Sequence, residues 1–369
     1  MKSRIKFGRW ETVALITNLI CMQVFLSFPR FMLETAATAG WMETLYLSVL
    51  ILLAFAVISR LYKPVEGMDI VDIGKYVGGA PGRVVIGIVF FSYAVFAASI
   101  ILREFSENMK TIAVPNSPLS FISLFFIAAM IMSAYIGIEA IVRLHSMVVP
   151  IILFGLAVIL IASCPYYKID NVLPFWGNGP RQTFIDSMPK VSHFSGIISI
   201  LIISPFIGRQ KTFARAGYSA LILSAIIMIL SCLCYMLMNP YPVAIRSFLP
   251  IYSMAREISF GRFIQRGEPI FVFIWAASGM LYLSAVFYFA LLMVKKAFNL
   301  EYIRPLIIPL GIIIFTLSFL PQSLMTVIDI EVKYFRTYVW ILVIALPILL
   351  LSLATFKRKR NKEVRKCQN

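Results

Sequence analysis

Met22-Gln23-Val24-Phe25 near the start of the chain and His193-Phe194-Ser195-Gly196 in its second half each stand inside an apolar run close to a proline, Pro29 and Pro205. A proline inside a helix removes a backbone donor and frees a carbonyl one turn earlier. Hydrocarbon offers that carbonyl no partner, so interruptions at membrane depth survive only where protein, water or a ligand supplies one. The spacing therefore predicts two broken membrane crossings that meet around a protein-lined space. A half-helix amino terminus carries free N–H groups and the positive end of a dipole, which suits a carboxylate. Backbone at 22–25 and 194–196 is thus expected to hold the two charged groups of an amino acid. Tyr93, Phe96, Ser278 and Tyr282, on two long crossings, are expected to complete an apolar or aromatic pocket, although ordinary packing explains any one of them alone. His193 is an ionisable group at depth and so a functional candidate, whereas His145 reads as interfacial or packed.

Other chemistries find no footing. The chain has no Gly-x-Ser-x-Gly, no His-Glu-x-x-His and no metal-ligand spacing of Cys and His. Cys232 and Cys234 are two apart and point to different sides of a helix, so no metal, cofactor or enzymatic activity is expected. The glycines of Gly78-Gly79-Ala80-Pro81-Gly82 lack both the following Lys-Ser/Thr and the preceding strand of a phosphate loop, and read as a tight turn. Arg103 and Glu107 are an i,i+4 pair. Arg266 and Glu268, two apart, must each find a partner elsewhere. No other carboxylate is read as lying deep in a crossing, so any bound cation would rely on backbone carbonyls and hydroxyls.

The elements that position these residues follow from composition. Hydrophobic residues make up 60% of the 369 and charged ones only 14%, the signature of a polytopic membrane protein. Crossing about 30 Å of hydrocarbon takes roughly 20 apolar residues. Ten such runs are predicted, at 12–33, 41–61, 84–105, 119–138, 146–166, 187–208, 216–238, 269–294, 305–328 and 337–356. The net charge of +17 belongs to the segments between them rather than to a nucleic-acid surface. Placing both termini in the cytoplasm puts most Lys and Arg inside, as cytoplasmic loops require. Five crossings per half is an odd number, so residues 11–167 and 187–356 are expected to form inverted five-helix repeats, followed by a basic tail at 357–369. Pro29 is as far from Pro205 as Trp41 is from Gly217, and matched interruptions in two halves point to a transporter-type site near the midplane. Outside the membrane, the Pro-, Gly- and Asn-rich loop 165–189 is expected to lie over the sixth crossing. Residues 248–263 read as an amphipathic helix on the membrane face, with a lid as the alternative.

Phe28-Pro29-Arg30, Ala39-Gly40-Trp41, His193-Phe194-Ser195-Gly196, Ser204-Pro205-Phe206 and Gln265-Arg266-Gly267-Glu268 leading to Trp275 together give the chain, over nearly its whole length, a pattern that resembles the spore germination permease family, the B subunits of nutrient-germinant receptors. The resemblance implies an amino-acid-permease-like fold and a germinant-sensing role in the inner membrane of an endospore. It also implies an A subunit and a lipoprotein C subunit as partners. By position, it puts the two helix breaks at Met22 to Phe25 and His193 to Gly196. Two positions depart from the related permeases: Met22 and Val24 replace the usual glycines, and Ile198 stands where an acidic residue often follows. A small nutrient such as an amino acid is the expected ligand, sensed in one reading and transported in the other, with a ligand-free membrane scaffold as a third class.

Overall fold

The computed structural model describes residues 6–207, 210–259 and 267–367. The helices are Arg9–Cys21 (α1), Phe28–Ala36 (α2), Gly40–Tyr62 (α3), Ile70–Ile112 (α4), Leu119–Ile136 (α5), Ile138–Ala162 (α6), Ser199–Ile202 (α7), Ser204–Ile207 (α8), Gln210–Met238 (α9), Tyr241–Ala244 (α10), Pro250–Glu257 (α11), Glu268–Phe298 (α12), Arg304–Ser318 (α13), Leu324–Ile330 (α14), Thr337–Trp340 (α15) and Leu346–Cys367 (α16). Among the described residues, 7 helical stretches are long and apolar enough to cross a bilayer. The remaining expected crossings are the interrupted first, shared by α1 and α2, the sixth, and the ninth, α13, which at 15 residues is short for the hydrocarbon thickness.

Two crossings differ from expectation. The sixth does not unwind at His193 to Gly196. Met188–Ile198 winds continuously as a 3₁₀ helix, and the interruption falls at Ile203, between α7 and α8 and just ahead of Pro205. The tenth starts earlier than its apolar run. The ninth crossing ends at Ser318, and after Pro321 the Ser323 hydroxyl caps α14 by accepting from the Thr326 amide at 3.3 Å. From there α14, a π-wound turn at Glu331–Arg336, α15, a second π-wound turn at Ile341–Ala345 and α16 follow without a break. Residues 329–336, expected as a connecting loop, are therefore helical.

Close backbone approach sets the packing. The main seam runs between α4 and α12, where a Cβ on Gly279 would lie 2.2 Å from Phe105 and one on Gly87 would lie 2.5 Å from Ala297. Small residues at such seams let helices approach where lipid removes the usual hydrophobic drive. The glycine turn leading into the third crossing is present, with Gly79 at φ 67° joining the two limbs of α4.

On the face where α3 ends and α4 begins, Asp69 caps α4 by accepting from the Val71 and Asp72 amides at 3.0 and 2.9 Å. Lys296 pairs with Asp69 and, at 2.7 Å, with Asp72. Burial pushes the Asp69 carboxyl up to about 6 against the pull of Lys296. On the opposite face, the Pro-rich loop is pinned to the end of α2: Thr38 donates to the Pro174 carbonyl, and Asn178 Nδ2 donates to the Thr35 carbonyl at 2.8 Å. The amphipathic segment forms α11, with Ile251, Met254 and Ala255 buried. Its expected continuation through Arg262 and Phe263, like Gln265 and Arg266, lies outside the described residues. Glu268 reaches Arg256 at 3.7 Å.

Candidate functional site

The first crossing breaks where α1 ends. Met22–Phe25 tightens into a 3₁₀ turn, Leu26 leaves helical space at φ −104° and ψ −136°, and α2 starts with Pro29 in its first turn. There the donor that proline lacks would have had no partner in any case. Met22, Gln23, Val24 and Phe25 are all buried. Of the four, only Gln23 places a polar side chain at the break. Its Nε2 donates to the Ile20 carbonyl at 2.9 Å and to the His193 carbonyl, while Oε1 accepts from His193 Nδ1 at 2.5 Å. That amide orientation satisfies both carbonyls and places a hydrogen on Nδ1 of the imidazole.

The 3₁₀ segment lies directly on α1. A Cβ at Gly196 would sit 2.7 Å from the Leu19 carbonyl carbon, so glycine permits the approach that brings His193 to Gln23. Phe194 is buried, and Ser195 hydrogen-bonds Tyr93 of α4. Tyr93 and Tyr282 both stand within electrostatic reach of Arg336.

Neither tyrosine lines the gap or the cavity of the site, Tyr93 borders the surface groove that holds Phe96, and Ser278 lies elsewhere. Ser278 Oγ donates to Asn18 Oδ1 at 2.8 Å, and Asn18 Nδ2 donates back to the Ser278 carbonyl at 3.2 Å. This pair joins α12 to α1. Phe96 is 40% exposed and packs on Phe335 at 5.3 Å in a surface groove shared with Tyr334 and Tyr338. His145, expected to be packed or interfacial, is wholly buried, with Nδ1 against the Ile141 carbonyl at 2.7 Å.

The expectation that no further carboxylate lies deep is overturned. Glu104 of α4 is 1% exposed, and Glu331 and Arg336 of the tenth crossing are 4% and 9% exposed. Arg336 Nε and Nη2 both donate to Glu331 Oε1, at 2.9 and 2.6 Å. At 3.6 residues per turn, positions five apart diverge by about 140° around an α-helix. The wider π-wound turn at 331–336 brings them to one face, and such turns cluster at functional sites. Arg336 also holds the 3₁₀ segment, donating from Nη1 to the Ser192 carbonyl at 3.4 Å while its own carbonyl accepts from Ser192 Oγ at 2.5 Å.

Glu104 lies against Glu331 and accepts from Ser27 Oγ at 3.4 Å; the same hydroxyl lies 3.1 Å from the Phe248 carbonyl, at the lead-in to α11. Its Oε2 is buried with no donor among the described residues. Next to this group, Lys190 bonds the Phe31 carbonyl at 2.5 Å and pairs with the fully buried Glu43 at 3.2 Å. One sequence signal for Glu104 existed: it follows Arg103 within the apolar run 84–105. Arg103 does pair with Glu107, at 2.9 Å, but Glu104 faces the other way.

The gap bounded by Gln23, Ser27, Phe28, His193, Glu331 and Arg336 does not admit a water-sized sphere. The space expected between the broken crossings is closed there. A cavity of about 250 Å³ adjoins it toward the face with the Pro-rich loop, lined by Phe31, Asp186, Pro189, Lys190, His193, Val332, Arg336 and Thr337. Two cations, one acid and apolar surface thus surround a space of small-molecule size.

A broken first crossing and a sixth that changes winding, with a polar cluster between them, fit an all-α membrane protein of ten crossings in two inverted five-helix repeats, the architecture of known transporters. Solved structures share it. A nucleobase-cation-symport-1 family transporter in a closed conformation with bromovinylhydantoin bound aligns with a TM-score of 0.66 at 12% identity, covering 96% of this chain and 91% of that one. A Na+-coupled sialic acid symporter in a substrate-bound outward-open state aligns with a TM-score of 0.66 at 11% identity, covering 95% and 89%.

The spore permease family model, described as "Spore germination protein", matches residues 8–327, and the chain belongs to that family. Spore germination protein A2 of Bacillus subtilis (strain 168) is 22% identical over 364 residues, 96% of this chain and 97% of the relative. Spore germination protein YndE of the same organism is 23% identical over 359 residues, 95% and 97%. The chain is therefore an integral membrane protein of the germination family with a transporter fold.

Proposed function

We propose that this chain is the germinant-sensing membrane subunit of a spore nutrient receptor and binds a small zwitterionic nutrient, in the first instance an amino acid. The supporting observation is the cavity of about 250 Å³ between Asp186, Lys190, His193 and Arg336, which adjoins the Gln23–His193 contact. A carboxylate suits the positive wall made by Lys190 and the Arg336 N–H groups that Glu331 and Ser192 leave free, an ammonium suits Asp186, and Phe31 and Val332 offer surface to an apolar side chain. Binding favours whichever arrangement of the two repeats holds the nutrient more tightly, and differential affinity limits how far it can shift them. Residues 11–167 and 187–356 are the repeats in this reading, with both termini cytoplasmic. An A subunit and a lipoprotein C subunit in the spore inner membrane carry the signal onward.

The fold shared with two transporters favours one alternative, an amino-acid permease that moves its ligand. Spores lacking the chain, complemented with wild type or Arg336→Gln and exposed to amino acids, sugars and nucleosides, test the sensing role. Loss of response to one nutrient class in the uncomplemented and Arg336→Gln spores, with the response restored by wild type, supports it. An unchanged response overturns it, and robust accumulation of labelled amino acid in vesicles holding this chain alone favours transport.

A further inference from the structure

The cluster at the break is short of positive charge. Glu331 takes both near hydrogen bonds of Arg336, and Glu104, lying against Glu331, has one carboxyl oxygen with no donor among the described residues. Two carboxylates in contact within one dry site repel strongly, and a single guanidinium balances only one of them. A metal cation would need several oxygens and its own space, but the gap beside Glu331 and Arg336 does not admit a water-sized sphere.

We propose that Glu104 and Glu331 form a proton-binding site, one carboxylic acid donating to the neighbouring carboxylate, and that this shared proton fastens α4 to the tenth crossing in the closed arrangement. The proton comes from water and returns to it, and no other bond changes. Removing it leaves two adjacent anions, and their repulsion drives the carboxyls apart. Other titratable groups face the pair from each side. Tyr93 shares α4 with Glu104, Tyr282 stands on α12, and His193 and Lys190 stand on the 3₁₀ segment near Arg336. His193 directs its Nδ1 hydrogen to Gln23, and a second proton on its ring would face the like charges of Arg336 and Lys190, so the acid pair is the place for the added proton.

The site is tested on the full chain in lipid nanodiscs, comparing wild type with Glu104→Gln and Glu331→Gln by infrared difference spectroscopy and by proton release after a jump from acidic to alkaline pH. Wild type is expected to show the carbonyl stretch of a hydrogen-bonded carboxylic acid and to release about one proton per chain from the pair. Either variant is expected to lose both signals. Should one variant fail to fold, the other and the wild-type proton count still decide. Signals that persist in a folded variant, their absence in wild type, or a release that responds to sodium instead of pH would overturn the proposal.

Discussion

Replacing Gln23 with Met tests whether the contact between the first and sixth crossings holds the closed arrangement. Methionine keeps the length of the side chain and removes its polar end. In the native protein that end serves the Ile20 and His193 carbonyls and the His193 Nδ1–H, and His193 is only 3% exposed. Gln23→Met strands the imidazole donor and the His193 carbonyl together. Each buried group left without a partner costs about 1–3 kcal/mol, so the variant should lose about 2–6 kcal/mol. The assay is chemical unfolding in detergent, run as a double-mutant cycle with His193→Phe. Phenylalanine removes the stranded ring donor, so the second substitution should cost less in the Gln23→Met background, with a coupling of at least about 1 kcal/mol for residues in direct contact. A Gln23→Met protein within about 0.5 kcal/mol of wild type, together with simple additivity, would falsify this account of the contact.

Gly196→Ala should cost about 1–3 kcal/mol through overpacking, because its Cβ would meet the Leu19 carbonyl carbon at 2.7 Å; a melt indistinguishable from wild type counts against the close approach of the 3₁₀ segment. Lys190→Met should cost about 3–5 kcal/mol by leaving the buried Glu43 unpaired. Adding Glu43→Gln should restore much of that, and a double variant no more stable than the single one rejects the pairing seen at 3.2 Å. For Asp69, the folded-state carboxyl is raised from 3.8 to about 6, so the native state binds the proton more readily than the unfolded chain. Its contribution therefore favours folding at low pH and is lost as pH rises through about 6. Asn keeps much of the helix cap, so Asp69→Asn should flatten that part of the melting-temperature profile; an unaltered slope would contradict the assignment.

Some of this architecture is legible one residue at a time. Runs of some twenty apolar residues must cross a bilayer, and Pro29 within the first run marks an interruption because a missing backbone donor cannot be replaced by lipid. The interruption at Met22 to Phe25 and the turn at Gly79 follow from such local backbone chemistry. Ser323, by contrast, extends the last crossing backward through Glu331 and Arg336, a capping effect that hydropathy alone does not register.

The polar cluster at the break was decided by tertiary structure. Glu104 sits beside Arg103, whose own partner Glu107 is one turn away, and nothing in that spacing tells which face of the helix will meet Ser27 and Glu331. Glu331 and Arg336 share a face only because their turn is π-wound, a choice tied to packing against the 3₁₀ segment at Ser192. Likewise Tyr93 turns to Ser195 while Ser278 turns to Asn18. The sequence alone determined that the chain crosses the membrane many times and where its first crossing must fail. Which charged groups meet at that failure depended on helix rotation and winding, which are set by neighbours distant in the chain.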